Sequence, residues 1–337
     1  MAEVHVRELK GWEEMEEVVA LQREVWGRAA SDLVPRGLLV AVQDEGGLVA
    51  GAFAEGRMVG FVFGFPTKDP ALHHSHMLGV LEAYRGTVAA LLLKRFQRDW
   101  CLARGVRRVV WTFDPMRGVN ANFNLRKLGA TAKTYLPDHY GPMSGINAGA
   151  PSDRLLAEWD LLSERVYARF YAPPPEPEVA GLPQVNRVEG EVPLEARLDL
   201  EAERLLFQIP EDWGRILRED PALALKWREH SRLVLPHYFA RGYRLVDLVR
   251  HPNQYVLAKD RALDRRGGVR RLRHPHAPGG LGGAGRVRGG PGEPGGAEGP
   301  LPPGGGGPQG PCPPPAPGER PHPPGPLPPP PLPGALR

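Results

Sequence analysis

Between His73 and Gly129 the chain reads HHSHMLGVLEAYRGTVAALLLKRFQRDWCLARGVRRVVWTFDPMRGVNANFNLRKLG, an order of strand, turn, helix, strand and helix. Ser75 to Val80 is a short β-rich run, and Tyr84-Arg85-Gly86-Thr87 is a turn. Val88 to Arg104 is apolar at helical spacing until Gly105 stops it. Val109 to Phe113 then returns as a buried strand. A helix that directly follows a strand presents N–H groups and a positive dipole end at its first turn, which suits a diphosphate.

The rest of the chain divides by its punctuation. Val4 to Leu9 alternates as a strand, Trp12 to Trp26 is an amphipathic helix, and Pro35 opens a short helix through Gln43. Leu48 to Ala54 and Met58 to Phe65 read as strands joined by the turn Glu55-Gly56-Arg57, a hairpin. Arg154 to Leu161 and the Pro-rich Ala172 to Pro177 end this unit. In a second segment, Glu201 to Ile209 reads as a strand and Asp220-Pro221 caps a helix to about Ala240. Strands follow at Arg244 to Val249 and Tyr255 to Lys259.

Composition changes abruptly after Asp260. Residues 261–337 hold 21 Gly and 22 Pro and no Ser, Thr, Asn, Lys, Ile, Met, Phe, Trp or Tyr. Such a segment cannot bury enough apolar surface to offset its ordering entropy, so a disordered tail is expected. Out-of-frame reading of GC-rich sequence accounts for this residue set better than a Pro-rich ligand that docks through Leu327-Pro328-Pro329-Pro330. The tail also carries the basic excess. Residues 1–260 have 33 basic against 35 acidic side chains, so the pI of 9.1 gives no nucleic-acid surface. Cys101 and Cys312 make neither a disulfide framework nor a metal cluster, and no apolar run approaches membrane-spanning length. The N-terminus lacks an apolar signal core, and a reducing cytoplasm fits.

The stretch Arg85-Gly86-Thr87-Val88-Ala89-Ala90 resembles the signature of the GNAT superfamily of N-acyltransferases: Arg or Gln, two variable residues, Gly, one residue, then Gly or Ala. The Arg and the closing Ala match. Val88 stands where the family has glycine, so its Cβ is expected to crowd the phosphates or tilt the turn. Five motifs in order (HSHMLGV, YRG, WTFDP, NAxFN and YLPDHYG) are similar to those of a predicted-acetyltransferase subgroup of that superfamily. The resemblance implies an α/β fold, a GNAT-like mixed central sheet flanked by helices, with a C-terminal α/β segment and the Gly/Pro-rich tail. The expected divisions are an acyl-CoA-binding domain over 1–172, a linker over 173–192, the C-terminal segment over 193–260 and the tail over 261–337.

It further implies direct transfer of an acyl group, acetyl by default, from acetyl-CoA or another acyl-CoA to a small-molecule amine or amino acid. Succinyl-CoA with an amino-acid acceptor is the alternative donor pair. A noncatalytic acyl-CoA binder is the alternative of another class, and oligomeric state stays open, a homodimer included. Pantetheine would lie along the fourth strand against Leu78, Gly79 and Val80, with the N–H of Val80 or Leu81 as oxyanion donor. Arg85 through Ala90 would hold the diphosphate.

For the base, His74 and His76 share one side of a strand and have side chains that titrate near neutrality; a solvated histidine cluster is the ordinary alternative. Asp114 either orients or replaces that base, or makes an Asp-Pro turn that caps the next helix. The family's helix tyrosine falls on Leu125, leaving Tyr135 and Tyr140 as substitute acids or as plain packing residues. Asn120 and Asn124, four apart, would share a helix face toward the coenzyme, with Asn120 alternatively an N-cap. No carboxylate or thiol joins the histidines at ligand spacing, so no metal is expected.

Overall fold

Strand alternation builds the first half of the sheet. In the computed structural model, which describes residues 3–27, 33–86 and 88–260, Val4–Glu8 (β1) pairs antiparallel with Leu48–Ala54 (β2). Gly11–Trp26 (α1) and Arg36–Asp44 (α2) lie between them in sequence. β2 and Arg57–Pro66 (β3) form the expected hairpin: Ala54 pairs with Arg57 across Glu55 and Gly56, whose φ values of 52° and 77° suit a two-residue type I′ turn. Leu72–Val80 (β4) pairs with β3 and carries a bulge. Gly64 and Phe63 are consecutive but face Ser75 and Met77, leaving His76 as the extra residue, and such a bulge sharpens strand twist.

Ala89–Ala103 (α3) leads to Arg108–Phe113 (β5). Gly118–Ala121 (α4) runs into a π-helix over Asn122–Lys127, followed by Thr131–Leu136 (β6), Arg154–Asp160 (β7) and Glu164–Arg169 (α5). Asn186–Glu189 (β8) and Val192–Ala196 (β9) pair as a separate hairpin. The chain continues through Arg204–Gln208 (β10), Trp213–Glu219 (α6), Pro221–Ala240 (α7), Tyr243–Val249 (β11) and Gln254–Lys259 (β12). As the sequence predicts, Asp220 caps α7, its carboxylate accepting the Leu223 amide at 2.9 Å. The expectations for residues 261–337 lie outside the described residues.

Ten strands form one mixed sheet in the order β1-β2-β3-β4-β5-β7-β6-β11-β12-β10. The C-terminal strands enter through Leu245 of β11, which pairs with Ala132 of β6. Among the described residues, β4 and β5 are the one parallel pair of this sheet, and they pair only over His73/Val109 and its two neighbours, ending at His74/Val110. Beyond that point β5 stays fully paired to β7, and β4 stays paired to β3. A cleft therefore opens between two strands that are each held from behind.

The C-terminal segment clamps the open end of β5. Asp114, next after the strand, is buried, and Arg228 of α7 donates to both its oxygens at 2.7 Å. The Trp213 indole and the Met116 amide add bonds of 3.1 and 2.9 Å, and the Tyr255 hydroxyl donates to the Pro115 carbonyl at 2.7 Å. Burial alone would raise the Asp114 pKa, but the charge and hydrogen bonds of Arg228 outweigh it and hold the carboxyl below its ordinary range. Removing one member of a buried pair leaves the other uncompensated. Asp114→Asn and Arg228→Met are each expected to cost about 3–5 kcal/mol in urea unfolding at pH 7, and the double variant less than the sum. Because the folded pKa lies below the unfolded one, the contribution is present above about pH 4 and fades as pH falls through the folded value. Single-variant losses under about 1 kcal/mol contradict the clamp.

Candidate acyl-coenzyme site

Side-chain alternation sorts the cleft into two faces. On the α3 side, Ser75 of β4 and Trp111 of β5 meet α3: the Ser75 hydroxyl bonds Gln97 at 3.1 Å and Lys94 at 3.0 Å, and the Lys94 amine lies 3.9 Å from the Trp111 ring centre. The other side carries His74 and His76, whose rings are 5.8 Å apart as the sequence leads one to expect. His74 stacks on Phe65 at 4.9 Å. Beside His76, a groove of about 530 Å³ runs between α2 and β3, lined by Leu38, Ala41, Val42, Glu45, Phe63 and Phe65 among others.

The backbone edge of β4 faces the opening. The Leu81 amide donates to the Val59 carbonyl at 2.9 Å, so alternation turns the N–H and C=O groups of Leu78 and Val80 away from β3, toward the cleft. This removes Leu81 as an oxyanion donor, while the Val80 N–H faces the cleft at the end of the strand far from the last β4–β5 pair. Gly79 fits a close approach: a Cβ there would stand 2.8 Å from Phe61 and 3.0 Å from Trp26.

At the mouth, a short 3-10 turn over Glu82–Tyr84 and Gly86, at φ 78°, swing the chain into α3. Val88, at the N-cap, makes no side-chain cap bond, and its carbonyl accepts the Leu92 N–H, which places the Ala90 and Leu91 amides in the opening turn. Val88 adopts φ −74° and ψ −8°, an ordinary right-handed conformation, so valine does not tilt the turn. Its side chain is 57% exposed, where it can still meet an incoming phosphate. Arg85 donates to the Val25 carbonyl at 3.2 Å, fastening α1 to the mouth. Ala89 is buried and Ala90 half-buried, while Thr87 lies outside the described residues.

The remaining expected residues are divided by their partners. Tyr140, 44% exposed, shares a 2.9 Å hydrogen bond with Thr112, two residues past the last β4–β5 pair. Tyr135 is taken up elsewhere: its hydroxyl donates to Asp153 at 2.6 Å and meets the Ser231 hydroxyl at 2.8 Å, and burial followed by the Asp153 charge pushes its pKa well up. Asp114 is spent on Arg228, Trp213 and the Met116 amide, an Asx turn rather than a partner of the histidines. Arg117, not Asn120, precedes α4 as its N-cap. The π-helix, with Leu128 N–H bonded to Phe123 O, changes the period after Asn122; Asn120 is exposed and Asn124 buried, so they do not share the expected face. Leu125 is fully buried.

Sequence reasoning passed over Lys94 and Gln97. Both occupy the buried face of α3 with Leu93, Trp100 and Cys101, a polar pair on an apolar stripe, which the helical period exposes on inspection. Among the described residues no group of three His, Cys, Asp or Glu side chains is placed to hold a metal, and no helix is long and apolar enough to cross a membrane.

Burial, then repulsion from His76, Lys94 and His139, lowers the His74 pKa to about 4; burial and Lys94 do the same for His73. Both rings are therefore neutral at pH 7 and able to accept protons. Folding excludes their charged forms, so stability falls as pH drops from about 6.5 toward 4. With buried His230, lowered likewise, three imidazoles titrating near pH 4 by NMR are expected, and midpoints near 6.5 for all rings contradict this packing.

Residues 12–129 match the family model for the acetyltransferase (GNAT) family. Similar solved structures include Ard1 from Thermoplasma volcanium, at 15% identity over 47% of this chain and 97% of that one, TM-score 0.38. Another is yncA from Salmonella typhimurium with its cofactor acetyl-CoA, at 15% identity over 47% and 94%, TM-score 0.40. A GNAT-family acetyltransferase from Streptococcus pneumoniae aligns at 16% identity over 46% and 98%, TM-score 0.39. No curated protein matches the sequence.

Proposed function

From the match of residues 12–129 to the GNAT acetyltransferase family model, we propose that the protein transfers an acyl group from acyl-CoA, with acetyl-CoA as donor, directly to an amine. The carrying observation is the parting of β4 from β5 after His74/Val110, with Leu78 and Val80 presenting unused backbone edge to the gap. An extended pantetheine arm with its two amides can add there as a strand would. From Val80 back to Ser75 is about 17 Å of strand, so a diphosphate held by the amides that open α3 puts the thioester at the vertex.

The acceptor amine reaches the vertex from the groove beside His76. It needs to lose a proton to attack, and the neutral imidazole of His74 stands on that side with the His76 ring beside it. Attack forms the C–N bond and the C–S bond breaks; Val80, about 17 Å of strand from the vertex, is placed to bond a pantetheine amide rather than the oxyanion. Tyr140, through Thr112, borders the same gap from β5.

A noncatalytic coenzyme binder is the second reading, favoured by buried Leu125 at the family's tyrosine position and by the committed Tyr135 hydroxyl. Thiol release from acetyl-CoA and succinyl-CoA against a panel of amines and amino acids separates the two. Amine-dependent release supports transfer, whereas tight binding without release supports the binder. Val88→Gly is expected to tighten CoA several-fold in calorimetry, since it clears a Cβ from the phosphate turn without altering φ. Unchanged affinity counts against phosphate at this turn.

A further inference from the structure

The vertex of the cleft holds a buried amine that the transfer scheme above does not use. Ser75 and Trp111 are the first residues past the last β4–β5 pair, and Lys94 Nζ touches both. It also donates to Gln97 Oε1 at 2.9 Å and lies 5.4 Å from the Trp159 ring centre. Among the described residues no carboxylate pairs with it, and the side chain is 2% exposed. Beside it, Gln97 Nε2 is a buried donor with no hydrogen-bond partner. An ammonium and an orphaned amide donor at one vertex are arranged for an acceptor that arrives through the cleft.

Resting on the transfer reading above, we propose that Lys94 is the catalytic acid that protonates the coenzyme sulfur as the thioester breaks. The amine nitrogen bonds to the carbonyl carbon, and the C–S electron pair passes to sulfur. The Lys94 ammonium gives its proton to that sulfur, producing the CoA thiol and a neutral lysine. The proton lost by the acceptor leaves through the histidine face to water. Lys94 regains a proton from solvent once product release opens the cleft.

The surroundings suit this cycle. Burial lowers the Lys94 pKa to about 7, so the ammonium is available near neutrality and gives up its proton readily to a thiolate. The other titratable groups nearby are His73, His74 and Cys101; both imidazoles are held neutral near pH 7, and burial pushes the Cys101 thiol up to about 12. The charge at the vertex therefore changes with Lys94 itself. Trp111 stabilises the cation through its ring face without supplying a competing acceptor.

The test uses the full chain with acetyl-CoA and an amine found active in the panel. Wild-type kcat is expected to fall on the basic side of about pH 7–8. Lys94→Met should lower kcat roughly 100- to 10,000-fold, abolish that basic limb and leave the calorimetric Kd for CoA within about threefold. Lys94→Arg, charged but a poor proton donor, should stay slow. Wild-type kcat in Lys94→Met, or a wild-type profile that rises without a basic limb, overturns the proposal; the second readout holds even if the variants do not fold. Failure of wild-type protein to bind CoA overturns the transfer reading instead, so the two failures are distinct.

Discussion

The structure turns on a hydrogen-bond ladder that stops. β4 and β5 begin as neighbours, but after His74/Val110 no backbone bond joins them, while each remains paired on its far side. Unpaired backbone edges inside a sheet are costly unless something satisfies them. The bulge at His76 twists β4 where the strands part, and Lys94 contacts the side chains of Ser75 and Trp111 just past the last pair. The gap leaves a polar edge of the kind that an added strand would pair with.

The C-terminal segment acts on the same gap from outside it. Arg228 and Trp213 grip Asp114 at the open end of β5, Tyr255 holds Pro115, and Arg232 pairs with Asp153 at 2.7 Å beneath Tyr135. These contacts fix where β5 ends, and with it the position of Thr112 and Tyr140 across the mouth. Residues that looked like catalytic candidates in isolation, Asp114 and Tyr135, are consumed by this scaffold.

Local signals were legible in the sequence. The Glu55-Gly56 turn, the Asp220 cap, the β4 and β5 runs and the His74/His76 pairing all depend on neighbours within a few positions, where alternation, helical period and capping chemistry operate. What escaped depends on distance or on irregular geometry. The Asp114–Arg228 pair spans 114 positions. The π-helix at Asn122 breaks the period that would have put Asn120 and Asn124 on one face, and the commitment of the Leu81 amide follows from pairing with β3 rather than from its own residue type. Lys94 was readable in principle as a charge on an apolar helix face, but only the strand pairing shows that it marks the vertex.

The most direct test of the account is a crystal structure of the full chain with a non-hydrolysable acyl-CoA thioether. The expected result is pantetheine amides bonded to Leu78 and Val80, the diphosphate at the Ala90 and Leu91 amides that open α3, and the sulfur within contact distance of Lys94 Nζ. A coenzyme seated anywhere else, or a gap closed by direct β4–β5 pairing, would contradict it.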